Sequence, residues 1–187
     1  LHCKVGEKIL SKLPFYNLIE NAVLYHHETA DGNGAYGKKA DETPLTARLI
    51  HFADVLDVNW NLFENTDQNK YISICKWVKE NTGKIIDEDC SKAFFDVIDM
   101  KFLQQISGDS VIGFLHSCIP DKVEEISNEA MIELCSIFAD ITDYKSHFTW
   151  RHSFGVADKA KTMAEYYCYS KEECQKLYIA GVLHDIC

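Results

Sequence analysis

The stretch "PLTARLIHFADVLDV", residues 44–58, decides the fold class, because its apolar side chains recur every three or four positions. These apolar residues are Leu45, Leu49, Ile50, Ala53 and Leu56. Such spacing places them on one face of an α-helix, and Thr43 with Pro44 is a typical pair of N-cap and first-turn residues. The sequence therefore predicts an amphipathic helix over residues 44–59.

The same helical spacing recurs along most of the chain. Further helices are predicted at 3–13, 16–27, 68–81, 87–106, 109–118, 127–144, 152–168 and 171–185. Ser170 and Glu173, ahead of the last helix, have the spacing of a capping box. Alternation of apolar and polar residues at period two, which is typical of strands, is hard to find. The predicted fold class is therefore all-α.

Composition excludes several classes of protein. The 187 residues, 47% of them hydrophobic, suffice for an ordinary core. No apolar run is long enough to cross a membrane and the N-terminus lacks the order of a secretory signal, so we expect a cytoplasmic protein without a membrane partner. A net charge of −10, with 19 scattered Lys and Arg, argues against binding a nucleic-acid duplex. The eight cysteines include no CxxC and are predicted to be mostly reduced, buried thiols.

Two stretches interrupt the helical pattern. Residues 28–43, rich in glycine and acidic residues, form the one long polar loop, and long loops in compact domains are often functional. In "SCIPDKVEEISNE", residues 117–129, Pro120 and an acidic run separate two helical blocks. We therefore predict a linker at 119–126.

Two adjacent histidines, His26 and His27, open the stretch "HHETADGNGAYG". On a helix they would point about 100° apart, so two neighbouring ions suit them better than one. A chain with eight histidines can hold such a pair by chance, and the pair gains meaning from Asp54. This carboxylate lies on or beside the apolar face of its helix, where an unpaired charge is expensive. Alone it would be an N-cap or a salt-bridge partner, but beside two imidazoles a metal ligand is the better account.

Other candidate ligands lie near the two ends of the chain. His2 precedes the amphipathic "KVGEKIL" and is either a third imidazole or a frayed terminal residue. In the second block, His152 precedes a helical run, and His184 with Asp185 closes "AGVLHDI". An adjacent His and Asp at a helix end suits a carboxylate that bridges two cations beside an imidazole that holds one of them.

These motifs resemble a known family. "H…AGVLHDI" resembles the opening half of an HD-superfamily metal-dependent phosphohydrolase, and "HHETADGNGAYG…ARLIHFADVLD" resembles the closing half of its HD-GYP branch. The resemblance implies an HD-domain-like helical bundle that binds divalent ions, most often iron or manganese. It also implies a signalling enzyme that hydrolyses cyclic di-GMP or a related nucleotide.

Because the closing motifs come first, the resemblance implies a tandem protein. Residues 1–118 would be the C-terminal part of a first HD-GYP-like domain, and 127–187 the N-terminal part of a second HD domain that ends at the HD motif. A permuted single domain is the alternative. A composite site, formed within one chain or by exchange of half-domains in a homodimer, is a further hypothesis.

The resemblance also assigns roles to residues. The implied metal ligands are His2, His26, His27 and Asp54 in the first domain, and His152, His184 and Asp185 in the second. Asp185, the aspartate of the HD pair, is the implied catalytic residue. Arg48 is a candidate contact to a substrate phosphate, with a surface salt bridge as the alternative.

Two departures from the family pattern favour a different function. The tyrosine-proline signature after "DGNG" is replaced by "AYG", and "VLDVNWNLFENTDQNK" stands where active members carry an arginine-rich turn. A degenerate, non-catalytic HD module that senses a ligand or mediates protein contacts is therefore the main alternative. A metal-free helical interaction domain is a third reading, and it leaves the placement of histidine and aspartate unexplained.

Overall fold

The computed structural model describes residues 2–13, 15–64, 66–120, 126–145 and 150–186. Within these ranges regular structure is helical, apart from an isolated bridge between Thr82 and Ile86. The helices α1 to α9 are, in chain order, His2–Leu10, Leu45–Trp60, Gln68–Asn81, Glu88–Val97, Met100–Gln105, Ser110–Cys118, Asn128–Lys145, Trp150–Tyr166 and Lys171–Leu183. The predicted all-α fold is confirmed. In the described part of the chain, no helix has the length and apolar character needed to span a membrane.

The first of two compact units contains residues 1–7 and 19–122. Its core is a single cluster of buried side chains: Phe52, Leu56, Ile74, Val78, Ile86, Cys90, Phe94 and Leu103. Ile74 and Val78 of α3 are completely buried. Because α2 contributes Phe52 and Leu56 to this core, the core fixes the helix that carries Arg48, His51 and Asp54.

The second unit contains residues 8–18 and 123–187. Helices α7, α8 and α9 pack around buried Cys135, Ala139, Ala157 and Val182. Helices α8 and α9 approach closely at Gly181, where a Cβ atom would lie 2.5 Å from the Cα of Ala157. Only a glycine allows this approach.

One division between the units lies within the predicted linker 119–126, of which residues 121–125 lie outside the described residues. The other two divisions follow residues 7 and 18. That the units are halves of two tandem HD domains stays a prediction.

The helix predicted at 16–27 is wrong. Only Tyr16–Leu18 forms a short 3-10 helix, and the described residues that follow form turns. Asn21 has a φ of 62°, in the left-handed region that interrupts a helix. The carboxylate of Glu7 accepts hydrogen bonds from the backbone N–H groups of Asn21 and Leu24. His26 and His27 therefore lie in turns and not on a helix.

Two other local predictions also need correction. The helix predicted at 87–106 is split, because the side chain of Asp99 accepts a hydrogen bond from the N–H of Phe102 and starts a new helix at Met100. Thr43 does not cap α2: Pro44 is the N-cap residue, and the Thr43 hydroxyl donates back to the carbonyl of Ala40 at 3.2 Å. The capping box of Ser170 is confirmed.

Candidate metal centres

Three imidazoles and a thiol meet at the start of α1. The Nε2 atom of His2 lies 3.0 Å from Nε2 of His27 and 3.4 Å from Nε2 of His26. The Sγ atom of Cys3 lies 3.5 Å from the same His2 nitrogen. One ligand atom from each of the four residues lies within 4.8 Å of the others. We call His2, Cys3, His26 and His27 the first cluster.

A buried carboxylate positions the turn that leads to the histidine pair. Glu7, on α1, accepts from the N–H of Asn21 at 2.5 Å and from the N–H of Leu24 at 2.9 Å. Such charge-assisted hydrogen bonds are about twice as strong as neutral ones. Because His2 begins the same helix, Glu7 fixes the turn relative to the helix that carries His2.

A second buried carboxylate organises the glycine loop after the pair. Glu28 accepts from the N–H groups of Tyr36 at 2.7 Å and Lys38 at 2.6 Å. Gly34 passes so close that a Cβ atom there would lie 2.5 Å from the Cα of Glu28 and 2.7 Å from the carbonyl oxygen of His27. The loop is therefore a structured rim beside the first cluster.

Asp54 approaches the ring nitrogen of His27 that faces away from His2. Its Oδ2 atom lies 3.9 Å from Nδ1 of His27, whereas Nε2 of the same ring faces His2. Burial lowers the pKa of His27, the neighbouring His26 and His2 lower it further, and Asp54 opposes this. A neutral imidazole is the form that binds metal. That Asp54 is itself a metal ligand stays a prediction, since Asp54 is not part of the first cluster.

His51 forms a hydrogen bond with the backbone of the histidine pair. Its Nδ1 donates to the backbone carbonyl of His26 at 3.0 Å. Its Nε2 is buried and has no hydrogen-bond partner among the described residues. Burial lowers the pKa of His51, although the hydrogen bond to His26 acts in the opposite direction. The residue contacts the backbone of a cluster histidine and not the cluster's ligand atoms.

Arg48 forms an ion pair. Its guanidinium donates to Asp87 at 3.0 Å and lies 3.7 Å from Asp89. Burial would raise the pKa of Asp87, but hydrogen bonds from Cys90 and the charge of Arg48 outweigh it and hold this pKa below its ordinary value. This geometry matches the salt-bridge alternative, and a phosphate contact by Arg48 stays a prediction.

A second cluster lies where α8 and α9 approach. His152 is in α8, and His184 and Asp185 follow the last residue of α9. Nε2 of His184 lies 3.2 Å from Nε2 of His152 and 3.0 Å from Oδ2 of Asp185. The same carboxylate oxygen lies 3.6 Å from the His152 nitrogen. We call His152, His184 and Asp185 the second cluster.

The hydrogen bonds of the histidine rings fit metal binding in both clusters. Nδ1 of His26 donates to the carbonyl of Val23 at 2.5 Å, and Nδ1 of His184 donates to the carbonyl of Gly181 at 2.8 Å. These bonds leave the Nε2 lone pairs directed into the clusters. Metal-binding histidines almost always donate their other N–H in this way. Imidazole suits iron and zinc, and a carboxylate beside it also suits manganese.

Residues 1–67 of this chain match the HD domain family model. The chain is 25% identical over 195 residues to the 3'3'-cGAMP-specific phosphodiesterase 1 of Vibrio cholerae serotype O1, in an alignment that covers 99% of this chain and 44% of the relative.

A solved structure supports the fold. The crystal structure of a cyclic GMP-AMP specific phosphodiesterase of Vibrio cholerae (V-cGAP3) matches 98% of this chain and 44% of its own, with a TM-score of 0.75 and 20% identity. At this identity the likeness shows the fold alone. The chain spans less than half the length of both proteins.

The structure brings together most of the predicted ligands, in two separate clusters, and adds residues that the sequence did not reveal. The sequence predicts Cys3 only as one of the mostly reduced, buried thiols. The predicted site residues include neither Glu7 nor Glu28. The spacing of Glu7 from Cys3 and Leu10 is that of one helix face, so its burial could have been inferred from the pattern. No comparable signal marks Glu28.

Proposed function

We propose that this chain is part of a metal-dependent phosphodiesterase that hydrolyses a cyclic dinucleotide. The observation that carries the proposal is the convergence of ring nitrogens from His2, His26 and His27 at 3.0 to 3.4 Å. The second cluster repeats the arrangement with a carboxylate. The relative named for 3'3'-cGAMP supports a cyclic dinucleotide as the substrate class and favours 3'3'-cGAMP over cyclic di-GMP.

The chemistry of the clusters supports hydrolysis of an anionic ester. A divalent cation held by these residues would polarise a phosphoryl oxygen and lower the pKa of water. The chain carries a net charge of −10, so a bound cation would reverse the sign of the field where the phosphodiester must dock. Asp185 presents one carboxylate oxygen to both His152 and His184 and is the candidate catalytic residue. Iron or manganese is the proposed metal.

The two clusters would belong to two HD domains in tandem, formed in part by residues 1–118 and 127–187. The HD-GYP subtype is proposed for the first of them, because the motif around His26 and His27 is the one that resembles that branch. Exchange of half-domains in a homodimer belongs to the same proposal.

Hydrolysis of 3'3'-cGAMP and of cyclic di-GMP by the Mn²⁺-loaded chain tests the proposal. We expect a linear dinucleotide product, with 3'3'-cGAMP cleaved faster. The double variant His26→Ala and Asp185→Asn, which disables both clusters, should lower the rate by about 100-fold or more. His116→Ala, which removes an exposed imidazole on α6, is the matched control and should leave the rate unchanged. Equal rates in the double variant and the control would contradict the proposal.

The non-catalytic module is the second candidate. It is favoured by the position of Asp54, whose carboxylate approaches the outer nitrogen of His27 and not the converging ligand atoms. This candidate predicts that the chain binds metal and dinucleotide without turnover. Binding of 3'3'-cGAMP by the metal-loaded chain, with no linear product after prolonged incubation, would favour it.

A further inference from the structure

Cys3 lies beside His2 in the first turn of α1, with its thiol directed into the first cluster. Only 4% of Cys3 is exposed, whereas His2 is an exposed residue. Its Sγ atom lies 3.5 Å from Nε2 of His2. Within the described part of the chain, no other cysteine joins a group of three or more potential metal ligands.

The three distances from Nε2 of His2 to the other ligand atoms fit those of a tetrahedral site. With metal–nitrogen bonds of about 2.05 Å and a metal–sulfur bond of about 2.3 Å, tetrahedral angles place two nitrogens about 3.3 Å apart and a nitrogen and a sulfur about 3.6 Å apart. The nitrogen–nitrogen distances here are 3.4 and 3.0 Å, and the sulfur–nitrogen distance is 3.5 Å. The thiol of Cys3 is therefore close enough to the three imidazoles to bind the same ion.

We propose that Cys3 is the fourth ligand of the ion held by His2, His26 and His27. The inference rests on the proposed metal site and names one donor of it. On coordination the thiol loses its proton and binds as a thiolate.

A set of three imidazoles and one thiolate has chemical consequences. Soft thiolate ligands favour zinc, cobalt or ferrous iron over magnesium or manganese. The first cluster would then select a different metal from the second, which offers only nitrogen and oxygen atoms. Zinc-type sites can expand to five ligands during reaction, so a thiolate does not exclude a substrate oxygen.

Cobalt titration of the metal-free full chain tests the inference. Bound Co²⁺ gives visible d–d bands with any ligand set, but only a thiolate ligand adds a charge-transfer band in the near ultraviolet. We expect both features in the parent protein. In Cys3→Ser the near-ultraviolet band should disappear, and the affinity for Co²⁺ should fall by about tenfold or more. Cys118→Ser, which changes an exposed thiol on α6, is the matched control and should keep the band.

The outcomes separate this inference from the proposed metal site. Visible bands without the near-ultraviolet band in the parent would overturn the role of Cys3. If part of these visible bands is then lost in His26→Ala, the histidine site still stands. A near-ultraviolet band that persists in Cys3→Ser would assign the thiolate elsewhere and also overturn it. Failure of the parent to bind any Co²⁺ would overturn both. The parent spectrum decides the matter even where a variant of this buried position fails to fold.

Discussion

Replacement of Gly181 by alanine should disrupt the second cluster without touching any of its ligands. The added Cβ would lie 2.5 Å from the Cα, 2.9 Å from the backbone nitrogen and 3.1 Å from the Cβ of Ala157. Because two of these atoms belong to the backbone of α8, a rotamer change cannot relieve the clash. Helices α8 and α9 must separate instead.

The required separation is large enough to break the site. Carbon atoms in contact lie about 3.5 to 4.0 Å apart, so the helices must move apart by roughly 1 Å. His152 lies about one and a half turns before Ala157 on α8 and moves with it. The nitrogen atoms of His152 and His184, now 3.2 Å apart, would then lie about 4.2 Å apart. An ion with bonds of about 2.0 to 2.1 Å spans that distance only in a linear arrangement.

We therefore expect Gly181→Ala to lose metal binding at the second cluster. Its free energy of unfolding should be lower than that of the parent by about 1 to 3 kcal/mol. Calorimetric titration with Co²⁺ and thermal unfolding measure the two effects. Gly155→Ala is the matched control, because Gly155 lies in α8 with nothing within 4 Å of an added Cβ. It should bind metal normally and be more stable by about 0.5 to 1 kcal/mol. If both variants behave alike, the close helix contact does not set the geometry of the cluster.

Three further predictions concern the first unit. Gly34→Ala should destabilise the chain by about 1 to 3 kcal/mol and weaken Co²⁺ binding, because the added Cβ would lie 2.5 Å from the Cα of Glu28. Thermal unfolding and Co²⁺ titration measure the two effects. Gly113→Ala is the control, because an added Cβ there has nothing within 4 Å. Glu7→Gln should accelerate hydrogen exchange of the N–H groups of Asn21 and Leu24, which donate hydrogen bonds to the Glu7 carboxylate. Unchanged exchange rates would refute the role of Glu7 in holding this turn. Asp87→Asn should cost about 1 to 3 kcal/mol near neutral pH. Burial would raise the pKa of Asp87, but hydrogen bonds and the ion pair with Arg48 hold it below the ordinary value of 3.8. The stabilisation by the Asp87 carboxylate is therefore present above pH 3.8 and is lost as the pH falls through the lower pKa of the folded state. Urea unfolding of parent and variant should converge in acid, and a pH-independent difference would contradict this.

The sequence predicts the fold class well because helical periodicity is a local signal. Helix α3 has the bounds expected from its apolar spacing, and α9 begins at its capping box. The spacing fails at 16–27, where Glu7 binds the backbone of Asn21 and Leu24 from a separate helix. Such a contact between segments distant in sequence leaves no trace in the periodicity of either segment.

The sequence predicts most of the candidate ligands but not their arrangement. Histidine and aspartate motifs identify the imidazoles of both clusters, and the structure brings those imidazoles together. The orientation of each ring is set by backbone carbonyls, such as that of Val23 for His26, which no motif records. The sequence does not mark Cys3 as a ligand, because a lone cysteine in an apolar pattern is typical of a core residue. Its role depends on a turn that folds back from more than twenty residues away.

The most direct test of the account is the metal content of the chain after dialysis against Co²⁺. The account predicts at least one ion at each cluster in the parent protein. It predicts loss of both ions in the double variant His26→Ala and His184→Ala, with each single variant losing only the ion of its own cluster. A parent protein that binds no metal, or a double variant that binds as much as the parent, would contradict the account.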